Sequence, residues 1–280
     1  MKIKFTTLCE NTVGSPGFAG EWGLSVLVQI DDHNILFDTG AESAAVKNAD
    51  KIGFDLKTVH TIVLSHAHRD HTGGLREILK RTAHPKIIAH PAVWNPKFKQ
   101  VMPDEPLQYN GIPFRREEIE KDAELCLSTE PVQLSVSALT SGEIAQTTDF
   151  ETTGRQYFFK ENQDLHQDDF LDEQALIIQT PEGLVIVSGC AHRGIINTIR
   201  HAQRITGEER VHTVLGGTHL YPKEQSEVGK SISALMKLGV KNIGVSHCTG
   251  LPAAMQLASA FGDRFFLNNT GTVHTLQFDA

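Results

Sequence analysis

Ser65-His66-Ala67-His68-Arg69-Asp70-His71-Thr72-Gly73-Gly74 is the stretch that most constrains what this chain can fold into. Three imidazoles and one carboxylate fall within six positions, directly after the apolar run Thr61-Ile62-Val63-Leu64. An extended segment alternates its faces with period two, so His66 and His68 are expected to point the same way from a strand end. Asp70 and His71 follow as the chain turns and face a second point nearby. Two imidazoles for one ion, and a carboxylate plus an imidazole for another, make a dinuclear donor pattern. A lone histidine on a strand is ordinarily a packed or surface residue, and this chain has 14 histidines to scatter. Four ligand-type side chains in six positions, between a buried-type strand and a Gly-Gly turn, are metal-site chemistry instead.

With 280 residues, 40 % hydrophobic and 21 % charged, the chain has the composition of a globular protein with an ample core. A single domain over residues 1–280 is expected. Apolar runs such as Leu184-Val185-Ile186-Val187 are far shorter than a membrane span, so no membrane partner is expected. The start, Met1-Lys2-Ile3-Lys4-Phe5, has no apolar stretch of signal length, and Cys9, Cys126, Cys190 and Cys248 form no close framework. Reduced thiols in a cytoplasm are the expectation. The net charge of −8 disfavours non-specific nucleic-acid binding, leaving a small molecule as the expected partner.

Strand-like runs fall at 2–8, 24–30, 34–37, 59–64 and 86–90, and again at 156–159, 175–179, 184–187, 211–215, 242–245 and 273–278. Between them lie helical patterns: 44–52, the face Ile195, Ile196, Ile199, Ala202, Ile205, the face Val228, Ile232, Leu235, Met236, and 255–261. Strands followed by strand–helix alternation predict an α/β (α+β) sandwich with helices over the sheet faces. Residues 91–125 carry Pro91, Pro96, Pro103, Pro106 and Pro113 and a charged run over 115–122, which reads as an excursion from the core. It fits a lid or interface element as well as a plain surface insertion. Asn34-Ile35-Leu36-Phe37-Asp38-Thr39-Gly40 and Leu184-Val185-Ile186-Val187-Ser188-Gly189-Cys190 share a plan of buried strand and small polar turn, which would bring both turns beside one site.

Three later clusters carry chemistry. In Ser188-Gly189-Cys190-Ala191-His192-Arg193-Gly194, Cys190 and His192 are two apart at a strand end, although a cysteine often simply packs. Arg193 and the helix start after Gly194 offer a seat for a phosphate or carboxylate. His219 in Leu215-Gly216-Gly217-Thr218-His219-Leu220 is read as a substrate-contacting or proton-transferring residue. His247 in Val245-Ser246-His247-Cys248-Thr249-Gly250 fits as a late ligand, with Cys248 expected to point oppositely and pack.

His66-x-His68-x-Asp70-His71 after a strand, preceded by Phe37-Asp38-Thr39-Gly40, resembles the metallo-β-lactamase superfamily across essentially the whole chain. The resemblance implies a four-layer αββα sandwich with one or two divalent ions at the sheet edges. By position, His66, His68, Asp70 and His71 look like the first ligand group and His247 the final histidine, while Cys190 falls where a bridging aspartate is usual. The superfamily's further ligand histidine, in a Gly-His turn, has no counterpart in Gln167-Asp168-Asp169-Phe170-Leu171-Asp172-Glu173-Gln174-Ala175-Leu176. His192 is expected to supply that imidazole. Together with Gly217-Thr218-His219-Leu220, Gly189-Cys190-Ala191-His192 and His247-Cys248-Thr249-Gly250, the departure resembles the 7,8-dihydropterin-6-methyl-4-(β-D-ribofuranosyl)aminobenzene-5′-phosphate synthase subgroup.

The expectation is a metal-dependent hydrolase of a small anionic, phosphate-containing substrate, working through a metal-activated hydroxide with Asp70 and His219 as catalytic residues. Arg193, Gly194 and His219 are the expected substrate contacts. Zinc suits the nitrogen-rich donors, as do manganese and iron. The alternative is a transferase joining a dihydropterin-methyl diphosphate to an aminobenzene ribose phosphate with release of diphosphate. A non-catalytic sensing module on the same fold is a third reading, against which the intact first ligand group argues. Oligomeric state stays open.

Overall fold

The computed structural model describes residues 1–102, 104–162, 164–221 and 223–279, so Pro103 of the proline-rich stretch lies outside the described residues. Two sheets face one another. The first has the strand order Val273–Gln277, Lys2–Cys9, Ser25–Ile30, His33–Phe37, Thr61–Val63, Lys86–Ala89, Glu124–Leu127. It is antiparallel up to His33–Phe37 and parallel from there onward. The second has the order Phe265–Leu267, Asn242–Val245, Val211–Gly216, Gly183–Ser188, Leu176–Thr180, Ala138–Thr140, with its first four strands parallel.

The burial pattern explains the layering. In Gly183–Ser188, Leu184 and Ile186 pack under the helices Ile195–Thr206, Gln225–Lys237 and Leu251–Phe261, while Val185 and Val187 meet the first sheet. Such a strand is covered on both faces and reads as an unbroken apolar run. In the first sheet, Leu27, Leu36, Ile62 and Ile87 face the helices Ala44–Lys51 and Leu75–Leu79, and Val26, Val28, Ile35, Phe37, Val63 and Ile88 fill the inter-sheet core. Helix, sheet, sheet and helix follow in order, the αββα arrangement expected.

Parallel strands bring their carboxyl ends to one side, where open α/β sheets place their ligands. Asp38 follows His33–Phe37, and His66 and His68 follow Thr61–Val63. From the other sheet, Cys190 and His192 follow Gly183–Ser188, His219 follows Val211–Gly216, and His247 follows Asn242–Val245. Two turns require glycine for close approach. A Cβ at Gly189 would lie 2.1 Å from Ser65 Oγ, and one at Gly74 would lie 2.1 Å from the Thr39 carbonyl. The echoed turns at Asp38 and Gly189 do meet.

One expectation needs correction, and one expected strand has partners outside the two main sheets. Glu124–Leu127 pairs in parallel with Lys86–Ala89, so residues 124 and 125 belong to the main sheet and not to the excursion. The strand expected at 156–159 forms as Tyr157–Glu161, and it belongs to a separate antiparallel sheet with Asp164–Gln167, Lys97–Lys99 and Gln108–Tyr109. Local alternation identifies a strand but says nothing about its partner. Residues 97–109 of the excursion thus form half of a two-part cover over the strand ends, with Lys99, Gln100 and Tyr157 lining the cavity beneath it.

Lys97 anchors that cover. Its ammonium is buried 2.9 Å from Asp168 Oδ2 and 2.8 Å from Asp172 Oδ1, and Asp172 Oδ2 in turn accepts the Ala67 N–H at 2.8 Å. Burial opposes the charge on Lys97, but Asp172 and Asp168 outweigh it and raise the ammonium above its ordinary value. Replacing Lys97 by methionine leaves two buried carboxylates without a counter-charge, a loss of about 3–5 kcal/mol for a broken buried pair. Urea denaturation is expected to show a lower midpoint with an unchanged slope, and a wild-type midpoint would contradict the anchoring role.

Candidate metal centre

The loop bearing His66 and His68 is shaped by buried carboxylates rather than by strand alternation, because the strand ends at Val63. Asp38 Oδ1 accepts the Ser65 N–H at 2.7 Å. Its Oδ2 accepts the Ser65 hydroxyl at 2.7 Å and the His71 Nδ1–H at 2.7 Å. Ser65 Oγ also lies 2.9 Å from His66 Nδ1. Gln174 crosses from the second sheet, donating its N–H to the Ser65 carbonyl and its amide to the Leu64 carbonyl. These contacts fix ring orientation from behind, as carboxylates do for metal-bound imidazoles.

The same logic governs the other sheet. Glu173 accepts the backbone N–H groups of His192 and Arg193 at 2.6 and 2.7 Å, and burial pushes its carboxyl up to about 7. The His192 ring stacks on Phe170 with centroids 3.8 Å apart. Glu10 accepts the His247 N–H at 2.6 Å, and Asn11 Oδ1 lies 2.9 Å from His247 Nδ1. Asp38, Ala191, His219 and His247 all hold positive φ, a strained backbone that clusters at functional sites.

Donor atoms of His66, His68 and His192 lie within 4.8 Å of one another, and so do those of Asp70, His71 and His247. Cys190 sits between, its Sγ 3.1 Å from His71 Nε2. His247 Nε2 lies 3.2 Å from both His71 Nε2 and Asp70 Oδ2. The Nε2 atoms of His66 and His68, both ring nitrogens of His192, Asp70 Oδ1 and His219 Nδ1 are buried without a hydrogen-bond partner among the described residues. Buried polar atoms are nearly always satisfied, so a cluster of exceptions fits divalent cations. Protonation agrees. Burial pushes His68 down to about 3, and burial with the neighbouring imidazoles holds His66 and His192 well down, leaving neutral rings ready to ligate. Burial opposes a charge on His71, but Asp38 and Asp70 outweigh it and raise it to about 9, so this corner draws positive charge. Burial also lifts the Cys190 thiol well above its ordinary value; a cation reverses that order for a coordinating thiol.

Around these donors lies a cavity of about 810 Å³, whose wall includes Arg69, Lys99, Tyr157, His219, Trp22 and Tyr221. His219 thus reaches the site, its ring 4.1 Å from His192. Arg193 does not line the cavity. Its guanidinium donates to the Ile144 and Asp169 carbonyls, which ties it into the loop packing. The seat after Gly194 does hold a carboxylate, but the chain's own: Glu151 accepts the N–H groups of Ile196 and Asn197 at 2.8 and 2.9 Å. Cys248 also differs from expectation. The strand stops at Val245 and a tight turn follows, so alternation fails and Cys248 reaches the cavity wall, within 4.8 Å of the donors of Cys190 and His247. Asp38, Ser65, Asp172, Glu173 and Lys97 were not assigned roles from sequence. Only Asp38 carried a signal, as the polar residue closing a buried strand.

The family model of the metallo-beta-lactamase superfamily matches residues 23–190, and the chain belongs to that superfamily. Over 97 % of its length, and 96 % of the relative's, it is 35 % identical to the 7,8-dihydropterin-6-methyl-4-(beta-D-ribofuranosyl)-aminobenzene-5′-phosphate synthase of Methanocaldococcus jannaschii. Among solved structures it is similar to Tm1679, described as a metal-dependent hydrolase of the β-lactamase superfamily, with a TM-score of 0.84 and 28 % identity. That match covers 99 % of this chain and 100 % of the other. YhfI from Bacillus subtilis, a metallo-β-lactamase fold protein, shares the fold at a TM-score of 0.60 and 12 % identity over 97 % of this chain and 99 % of its own.

His68→Ala is expected to lower bound metal, measured by plasma mass spectrometry, while circular dichroism stays that of wild type. Unchanged metal content would remove His68 from the ligand set. Asp38→Asn weakens the acceptor that orients His71 and is expected to reduce metal affinity by roughly 10–100-fold. A chelator titration reads this directly.

Proposed function

We propose that the chain is a metal-dependent hydrolase acting on a small phosphate-containing molecule. The observation that supports this most is that two groups of buried donors open onto one cavity whose other charged wall residues, Arg69 and Lys99, are both cations. His66, His68 and His192 would hold one divalent ion, and Asp70, His71 and His247 a second, with Cys190 between them. Zinc suits this set best, with manganese and iron as the other choices. Such ions activate water at neutral pH and neutralise charge developing on phosphate oxygens.

The chain's own residues do the rest. Arg69 and Lys99 draw the anion in and orient it, and the cover carrying Lys99 and Tyr157 limits water. Asp70 aligns the attacking water. His219, whose Nδ1 is buried without a hydrogen-bond partner among the described residues, is placed to pass a proton to the leaving oxygen. The cytoplasm suits a small-molecule enzyme of this kind.

A second reading has its own support. The 35 % identical relative is a synthase, which favours transfer to an aromatic acceptor with release of diphosphate. In that case ions held by these donors would supply positive charge for a leaving diphosphate rather than an activated water.

Phosphorus NMR of the metal-loaded enzyme separates the two. Inorganic phosphate appearing from phosphoesters without an acceptor supports hydrolysis. Diphosphate appearing from a pterin-methyl diphosphate only when an aromatic acceptor is present overturns it in favour of transfer. Lys99→Ala is expected to raise KM for the anionic substrate by roughly tenfold, the worth of one charge-assisted contact, with bound metal unchanged.

A further inference from the structure

The cysteines divide into two kinds by what surrounds them. Cys9 packs within the apolar cluster under the first sheet, and Cys126 packs against the inter-sheet core. Cys190 and Cys248 are buried too, but they belong to none of the three apolar clusters, and both line the metal cavity. A cysteine that packs as a small hydrophobe sits among apolar neighbours. These two meet polar ones. The Cys248 thiol donates to the Cys190 carbonyl at 3.2 Å, and the donor atoms of Cys190, His247 and Cys248 lie within 4.8 Å of one another. The backbone builds this meeting from both sides. His247 holds a φ of 53° and the tight turn His247–Thr249 begins there, so two consecutive side chains face one cavity where a strand would send them apart. Opposite them, Gly217 leaves the space that the sulfur fills. A Cβ at Gly217 would lie 2.6 Å from Cys248 Sγ and 3.2 Å from Cys190 Cα.

We propose that Cys248 is a metal ligand, and that Cys190, His247 and Cys248 form a position for a thiophilic divalent ion beside the position made by Asp70, His71 and His247. The two positions share His247. Asn11 Oδ1 lies 2.9 Å from its Nδ1, which leaves Nε2 as the ligating nitrogen, and Nε2 is 3.2 Å from both His71 Nε2 and Asp70 Oδ2. Two sulfurs and one imidazole suit zinc or cadmium, whereas a carboxylate with two imidazoles suits manganese or iron. Each thiol gives up its proton to solvent as it coordinates. A thiophilic ion drawn to the sulfurs leaves Asp70 uncoordinated, so the identity of the ion sets which side chains remain to face a substrate. The inference rests on the metal half of the function proposed above and not on hydrolysis.

Cadmium is the probe for the sulfur position and manganese for its neighbour. Chelator-treated wild-type protein, saturated with cadmium, is expected to give one cadmium NMR resonance with the strong deshielding that two thiolates produce. This spectrum needs no variant. Deshielding equal to one thiolate, or to none, would overturn the proposal. Cys248→Ser is expected to move that resonance to the value for a single thiolate, while Cys126→Ser leaves it in place. A resonance unmoved by Cys248→Ser would overturn the assignment. Manganese binding followed by electron paramagnetic resonance is expected to keep its wild-type affinity in Cys248→Ser, and a tenfold loss would contradict two distinct positions. Asp70→Asn is expected to do the reverse, weakening manganese binding while the two-thiolate cadmium resonance persists. Loss of that resonance in Asp70→Asn would also contradict them. Phosphoester turnover enters none of these readouts, so failure of the sulfur position and failure of the proposed hydrolysis are told apart.

Discussion

Burying Nε2 of His66 and His68, both ring nitrogens of His192 and Nδ1 of His219 without hydrogen-bond partners among the described residues is a heavy demand on this fold, and much of the structure answers to it. Each such atom costs on the order of 1–3 kcal/mol when nothing satisfies it. A chain left to fold by burial alone would turn these rings to water. They are held inward because every backing contact is itself saturated. Asp38 accepts three hydrogen bonds from Ser65 and His71, Glu173 accepts two from the His192 loop, and Glu10 accepts one from His247 and one from Thr12. Saturated carboxylates behind unsaturated imidazoles are how a protein aims positive charge at one point.

That demand also explains why the site lies where two sheets meet. Neither sheet supplies a complete donor set. The first contributes His66, His68, Asp70 and His71, and the second contributes Cys190, His192 and His247. The inter-sheet core, with Phe5, Phe37, Val185 and Val187 among its residues, sets the spacing, so the packing of apolar side chains fixes distances between polar ones. Lys97 extends the coupling to the small sheet that covers the site, because its two carboxylate partners include the one that positions Ala67. Cover, metal loop and core are mechanically one unit.

How much of this was readable beforehand varies by residue. The 65–74 cluster announced its chemistry because donor density at a strand end has few other uses. His192 was legible for weaker reasons: it stands two residues from Cys190 at a strand end, and the usual histidine turn is missing from 167–176. What that stretch does instead was hidden. Asp172, Glu173 and Gln174 hold the two donor loops by hydrogen bonds to Ala67, His192, Arg193, Leu64 and Ser65. Nothing local distinguishes such carboxylates from solvated ones, since their partners lie about a hundred residues away or on another loop. Cys248 was misjudged because strand alternation was extended past Val245, where the backbone turns. Arg193 was misjudged because a guanidinium near a helix start reads as an anion seat until a carboxylate such as Glu151 is seen to fill it.

The sequence by itself determined most strands of the two main sheets, the layering and a candidate metal-ligand cluster, because periodicity, continuous apolar runs and clustered donors are local properties. Only the tertiary structure decided which donors share a point, that residues 97–109 join the hairpin after Tyr157 to form a cover, and that the Cys248 thiol meets Cys190. Those facts depend on strand partners, on turns that reverse side-chain direction and on contacts between distant residues, none of which leaves a mark in a short window of sequence.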